Sequence, residues 1–266
     1  MKCLQLASCM AENTETLCSS IAEIIEIEVG IRTEYVTGIP WQERERLFDL
    51  GEIQILWLCG LPYVSKADLA DSGMELLAVP VPSGQRYQGR PVYFSDVVVR
   101  RKGPIKSFVD LCGASFVYNE PRSHSGYNVV RAYLAEFGQR DGFFGSVVES
   151  GAHARSIEMI LSGSVDCAAI DSTVLEWFQA QRWVFRDELR VIETIGPSPI
   201  PPWVVSTKLS ADLRCQIRQL LLKLHLLPRG RAALAQAQLA KFISAEDRDY
   251  DPIRRMARVA ESVLLA

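Results

Sequence analysis

Apolar residues fall into two alternating spacings along this chain. Cys3 to Cys9, Ile31 to Thr37 and Ile53 to Cys59 are short apolar runs that predict strands. Between them, Leu17, Ile21, Ile24 and Ile25 recur every three or four residues, from a start at Thr14 or Glu15 to a stop near Gly30. That is the spacing of one buried helix face with a glycine stop. Trp41 to Leu50 predicts a second, charged amphipathic helix, and its Glu43-Arg44-Glu45-Arg46 run reads as a solvated face. Ile53–Cys59 is apolar without alternation, as expected of a strand covered on both faces of a parallel sheet. Strands alternating with helices argue for an α/β fold.

The pattern continues through Leu76–Pro82 and a long strand, Pro91–Val99, which is long enough to leave one sheet and enter another. After Arg100-Arg101-Lys102-Gly103 a second α/β set begins. Its predicted elements are a short helix at Phe108–Cys112, strands at Ala114–Tyr118 and Gly145–Glu149, a helix from about His153 to Leu161, and a buried strand at Val165–Ile170. Asp171 then caps a helix through Trp177, and Leu189–Ile195 returns as a strand. Gly196–Pro202 reads as a stiff loop, Trp203–Thr207 as a second crossing strand, and helices over Ala211–Leu227 and Asp251–Val263 finish the chain. Two lobes follow: residues 1–97 with 205–266, and an inserted lobe at 98–204. A cleft between lobes is a favoured ligand site.

One stretch stands out, Asn119-Glu120-Pro121-Arg122-Ser123-His124-Ser125-Gly126-Tyr127. It joins a predicted buried strand to a helix whose apolar face carries Val129, Val130, Tyr133, Leu134 and Phe137. The first turn of a helix has unpaired N–H groups and the positive end of the dipole, so serines there can help hold an oxyanion without lysine or arginine. The same serines can equally serve only as caps. A nucleophile–base–acid set of Ser123, His124 and Asp171 is disfavoured, because neighbouring residues in one turn rarely face each other and no G-x-S-x-G elbow is present.

The 266 residues carry a net charge of −3 and 48% hydrophobic residues. No lysine–arginine block suggests nucleic acid, and no apolar run approaches a bilayer span. Seven scattered cysteines without a C-x-x-C pair suit a reducing compartment. The three histidines, His124, His153 and His225, show no metal-ligand spacing with them, so neither a metal nor a cofactor is expected. Met1 and Lys2 lead straight into a strand-like run, so a cytoplasmic protein is expected, or a periplasmic one if an export signal has been removed.

Four blocks together resemble the phosphonate/phosphate/phosphite-binding proteins of ABC importers. They are Ile55–Gly60, Tyr93–Val99, Pro121–Tyr127, and Gly151-Ala152-His153 with Gly163–Ala169. The resemblance implies a two-lobed type 2 periplasmic-binding-protein fold, with a ligand cleft between lobes joined by two hinge strands. It places Ser123, His124, Ser125, Gly126 and Tyr127 on the anion loop, Tyr93 on the hinge strand facing the cleft, and Trp41 at the start of a first-lobe helix. Asp171 falls near positions that read the ligand's polar end, and Trp57 reads as half core and half cleft wall. His153 is either a ligand contact or a structural histidine. Where relatives carry an acidic residue after that histidine, this chain has Ala154 and Arg155. Arg155 faces either a second anionic group or solvent.

The expected function is therefore that of a solute-binding protein closing on a small oxyanion, and not an enzyme. Its expected partners are the small anionic ligand and an importer permease or a signalling protein. The alternative on the same fold is a cytoplasmic ligand sensor; a small-metabolite enzyme using His153 or His124 ranks below both.

Overall fold

The computed structural model describes residues 3–181 and 187–265; the chain start at Met1 and Lys2 lies outside them. The described strands are β1 (Leu4–Ser8), β2 (Thr33–Tyr35), β3 (Ile55–Trp57), β4 (Met74–Pro82), β5 (Val92–Arg100), β6 (Ser115–Tyr118), β7 (Ser146–Glu149), β8 (Cys167–Asp171), β9 (Leu189–Pro199), β10 (Trp203–Ser206) and β11 (Leu239–Ile243). The helices are α1 (Glu15–Val29), α2 (Trp41–Leu50), α3 (Gly60–Ala67), α4 (Val129–Glu136), α5 (His153–Ser162), α6 (Ser172–Gln181), α7 (Ala211–Lys223), α8 (Pro228–Gln236) and α9 (Asp251–Ala260).

These elements form two compact units, Met1–Val92 with Pro199–Tyr250, and Tyr93–Ser198 with Asp251–Ala266. The first holds a sheet in the order β11-β4-β10-β3-β1-β2. β1 pairs in parallel with β2 and β3, while β10 runs antiparallel to β3 and β4. Its core joins Leu17, Cys18, Ile21, Ile24 and Ile25 of α1 to Leu4, Leu6, Ile55, Trp57 and Trp203 of the sheet. The helical spacing of those α1 residues is what aims them at one face. Gly30 stops α1 in the left-handed conformation (φ 76°), its N–H donating to the Glu26 carbonyl.

The second unit holds a sheet in the order β7-β6-β8-β5-β9. β6 is parallel to β7 and β8, and β5 is antiparallel to β8. Val97, Val99, Cys167 and Ala169 face Val129, Val130 and Leu134 of α4 across the core. Every residue of β8 is buried, as the apolar run Cys167–Ile170 requires of a central strand.

Three sequence expectations differ from this structure. Residues 251–266 were expected with the first unit. They pack with the second, where α9 lies on α4 and Val263 and Leu265 enter the core. Gly196–Pro199 was expected to be loop, yet β9 runs through it. β9 is an edge strand, so Pro197 and Pro199 remove no hydrogen bond that an interior ladder needs. β10 was read as a crossing strand, but its pairing lies wholly within the first sheet.

Candidate functional site

The strand-to-helix turn after β6 is where the chemistry of the second unit gathers. Ser123 has extended backbone (φ −71°, ψ 128°), and its hydroxyl accepts from the Gly126 N–H at 3.0 Å. His124–Asn128 then forms one wide π-helical turn before α4 begins. Such turns are rare and recur at functional sites. Gly126 is required for steric reasons: a Cβ there would sit 2.0 Å from Asn119 Oδ1 and 3.1 Å from His153 Cε1.

The Ser125 hydroxyl lies 3.0 Å from His153 Nε2 and 3.5 Å from the Ser123 hydroxyl. Ser123, Ser125 and His153 are all buried. The structure thus brings together residues that sequence spacing alone left 28 positions apart. His153 opens α5, after Ala152, which supplies no side-chain cap. Burial depresses the His153 pKa to about 4, so the ring is neutral at ordinary pH. Its Nδ1 and Asn119 Oδ1 are buried without a hydrogen-bond partner among the described residues. Buried polar atoms are nearly always satisfied, so two orphans beside one turn are an unusual feature of this junction.

His124 differs from its neighbours. It is fully buried, its Nε2 lies 3.1 Å from the Ser198 hydroxyl, and its Nδ1 lies 3.1 Å from Asn128 Nδ2. Burial lowers its pKa to about 3. Both ring nitrogens are therefore committed within the protein. Tyr127 packs on Tyr118 at 4.6 Å, and the Arg131 guanidinium sits 5.1 Å from the Tyr127 ring centre. Tyr93, at the start of the second unit, meets the His124 ring edge-on at 6.4 Å.

Asp171 ends β8 and serves the next helix, accepting from the Thr173 N–H at 2.8 Å and the Thr173 hydroxyl at 2.7 Å. Burial raises its pKa to about 6, against the lowering effect of bonds from Thr173 and Val174. Arg155 is exposed and pairs with Glu158 at 3.4 Å, so its charge faces water. In the first unit, Trp57 is a core residue: its Nε1 donates to the Pro201 carbonyl at 3.0 Å and its ring lies 5.3 Å from Trp203. Trp41, half-buried, opens α2, and its carbonyl accepts from the Cys9 thiol.

Sequence reasoning missed Ser95, Asn119, Asn128 and Ser198. Ser95 lies opposite Asp171 in the β5–β8 register, on the same face as Tyr93, and its buried hydroxyl has no partner among the described residues. A serine beside Asp96, in the otherwise apolar stretch Val92–Val99, was the available signal. Asn128 and Ser198 carried none, because their partner is His124.

A family model of periplasmic substrate-binding proteins of ABC phosphonate transporters matches residues 8–250. The chain belongs to that family. It is thus a substrate-binding protein of the transport type and not an enzyme; the family binds a small phosphonate and works with an ABC transporter. Solved structures agree on the fold. A binding-protein component of an ABC phosphonate transporter from Pseudomonas aeruginosa shares 18% identity at a TM-score of 0.85, over 97% of this chain and 86% of that one. PhnD1 from Prochlorococcus marinus in complex with methylphosphonate shares 18% at 0.84, over 98% and 99%. A Xanthomonas citri protein bound to ATP shares 17% at 0.75, over 98% of each chain. The fold is that of the two-lobed periplasmic binding proteins.

Family membership corrects one expectation. The family is periplasmic, which overturns the cytoplasmic reading and the cytoplasmic sensor with it. Of the cysteines behind that reading, Cys18 and Cys167 are core residues whose thiols burial pushes far above the ordinary range. A thiol held in that form acts as a small hydrophobe and reports little about redox compartment. Among the described residues no helix is long and apolar enough to cross a membrane.

Proposed function

We propose that the Ser123–Asn128 turn holds the oxyanion end of a small phosphonate. The observation that carries this reading is the buried Ser123–Ser125–His153 cluster at the start of α4. The Ser125 hydroxyl, the N–H groups at the start of the turn and the α4 dipole supply neutral donors and a positive potential. With Nε2 protonated, His153 donates to Ser125 Oγ and frees the serine O–H for the ligand. No proton transfer or cofactor is required of such a site. Gly126 keeps the turn close to Asn119 and His153, while Tyr93 and Ser95 occupy the adjoining strand face.

The partner that receives the ligand is the permease of an ABC importer, in keeping with the family. Since Ala154 replaces the acid that would pair with a ligand ammonium and Arg155 is exposed, the tail is simple, as in an alkylphosphonate. A thermal-shift screen of methylphosphonate, aminoethylphosphonate, phosphite, phosphate and sulfate tests this. A ligand at a hundred times its Kd adds about 2.7 kcal/mol to stability, so methylphosphonate should raise Tm by a few degrees. If none of the phosphorus oxyanions moves Tm, the reading is wrong.

A further inference from the structure

We propose that His124 is a positioning residue, carrying occupancy of the Ser123–Asn128 turn to two of the places where the chain leaves or enters the second unit. This rests on the anion-turn reading above and assigns His124 a different task from the serines on either side of it. The unit begins at Tyr93, and its first segment ends at Ser198. His124 meets both residues: the Tyr93 ring edge-on at 6.4 Å, and the Ser198 hydroxyl through Nε2 at 3.1 Å.

The link to the turn is continuous. The Asn128 N–H donates to the Ser123 carbonyl at 3.0 Å, and its side-chain amide reaches His124 Nδ1 at 3.1 Å. An amide donor at Nδ1 leaves the proton on Nε2, which then donates to Ser198. Three hydrogen bonds thus join the serine cap to the last residue of that segment. His124, Asn128, Tyr93 and Ser198 are all buried. A group held this way in a close-packed interior moves with its neighbours rather than past them. The remaining passage into the unit, at Asp251, opens directly into α9, which packs on the same turn. With both nitrogens engaged and no exposed surface, His124 is placed to report on the turn rather than to touch the ligand.

Hydrogen–deuterium exchange of the full chain, with and without methylphosphonate, tests the link. In the wild type, ligand should slow exchange at residues 123–128 and also at 92–96 and 195–199. In Ser198→Ala, protection of the turn should survive while the added protection at 195–199 is lost. Its ligand dissociation should quicken by about 5- to 30-fold, within the usual range of coupling between sites, at an unchanged association rate. His124→Gln, which keeps a polar side chain too short to span both partners, should show the same pattern if Ser198→Ala does not fold. A lower Tm in these variants, with ligand-induced protection and dissociation rate both as in the wild type, would mean His124 is only structural and would overturn the proposal. Failure of the wild type to bind methylphosphonate, phosphite or phosphate overturns the anion-turn reading, and this one with it. Intact binding with no ligand-induced change at either terminal segment overturns this one alone.

Discussion

At the end of β6 the chain turns into α4 through Ser123–Asn128, whereas at the end of β8 it turns into α6 through Asp171. Both junctions lie on neighbouring strands of one sheet, and both present the positive end of a helix dipole. At the second, the carboxylate of Asp171 takes the Thr173 N–H and hydroxyl itself. Its own negative charge answers the dipole. At the first, a hydroxyl does the capping, and burial keeps His124 and His153 neutral. Ser123, the capping residue there, carries no charge to answer the dipole.

The sharpest way to break this contrast is to give the first junction the second one's cap. Ser123→Asp retains a good capping side chain, so thermal stability should stay within about 1 kcal/mol of wild type. A charge about 4 Å from a bound oxyanion opposes it by about 4 kcal/mol at an effective dielectric of about 20, so calorimetry should find affinity lost by roughly a thousandfold. Wild-type affinity in this variant would reduce the turn to a helix cap. Removing donors without adding charge is the next largest change. Ser123→Ala with Ser125→Ala should weaken methylphosphonate binding by about 2–4 kcal/mol, from two hydrogen bonds to a charged group.

The converse exchange, Asp171→Asn, sharpens the comparison through pH. Asp171 has a folded pKa of about 6, above the value of about 3.9 for an unfolded chain. Between those values the folded protein keeps a proton that the unfolded chain has released, so this group's contribution to stability falls as pH rises through the window. Asparagine caps well and does not titrate. The variant should be more stable than wild type at pH 7.5, by about 1–3 kcal/mol, and lose that advantage below about pH 4. Paired urea melts at the two pH values check it, and a pH-independent difference would show that Asp171 is not the titrating group. The smallest effect is expected of Arg155→Ala. An exposed pair of this kind changes stability by less than about 0.5 kcal/mol, and oxyanion affinity should be unchanged. A tenfold loss of affinity would place Arg155 at the ligand.

How much of this was legible beforehand depends on where each residue's partner lies. α2 was readable at both ends, because Pro40 and Gly51 flank Trp41–Leu50, but its charged run is not a wholly solvated face: Glu45 is buried against Lys66 and Arg44 donates to the Ser8 carbonyl. α3 was missed: Gly60-Leu61-Pro62 looks like a breaker, yet a proline in the first turn costs no intrahelical bond. β11 was missed because its pairing with β4 reaches back across more than 150 residues. The serines and His153 were legible as a motif, but the bond between Ser125 and His153 was not. His124 looked like a third member of the loop's binding set until Ser198 and Asn128 were found on its two nitrogens.

The sequence by itself determined the alternation of strand and helix, the glycine and proline stops, and a hydroxyl-rich turn at a helix start, since all of these arise from interactions within a few residues. Tertiary structure alone decided which unit the last sixteen residues join and that β9 runs on through its prolines at a sheet edge. It also decided which histidine is spent inside the protein and which keeps a nitrogen unpaired. Those outcomes depend on burial and on partners far along the chain. A side chain's desolvation, and the atoms left to satisfy it, exist only once the core has closed around it.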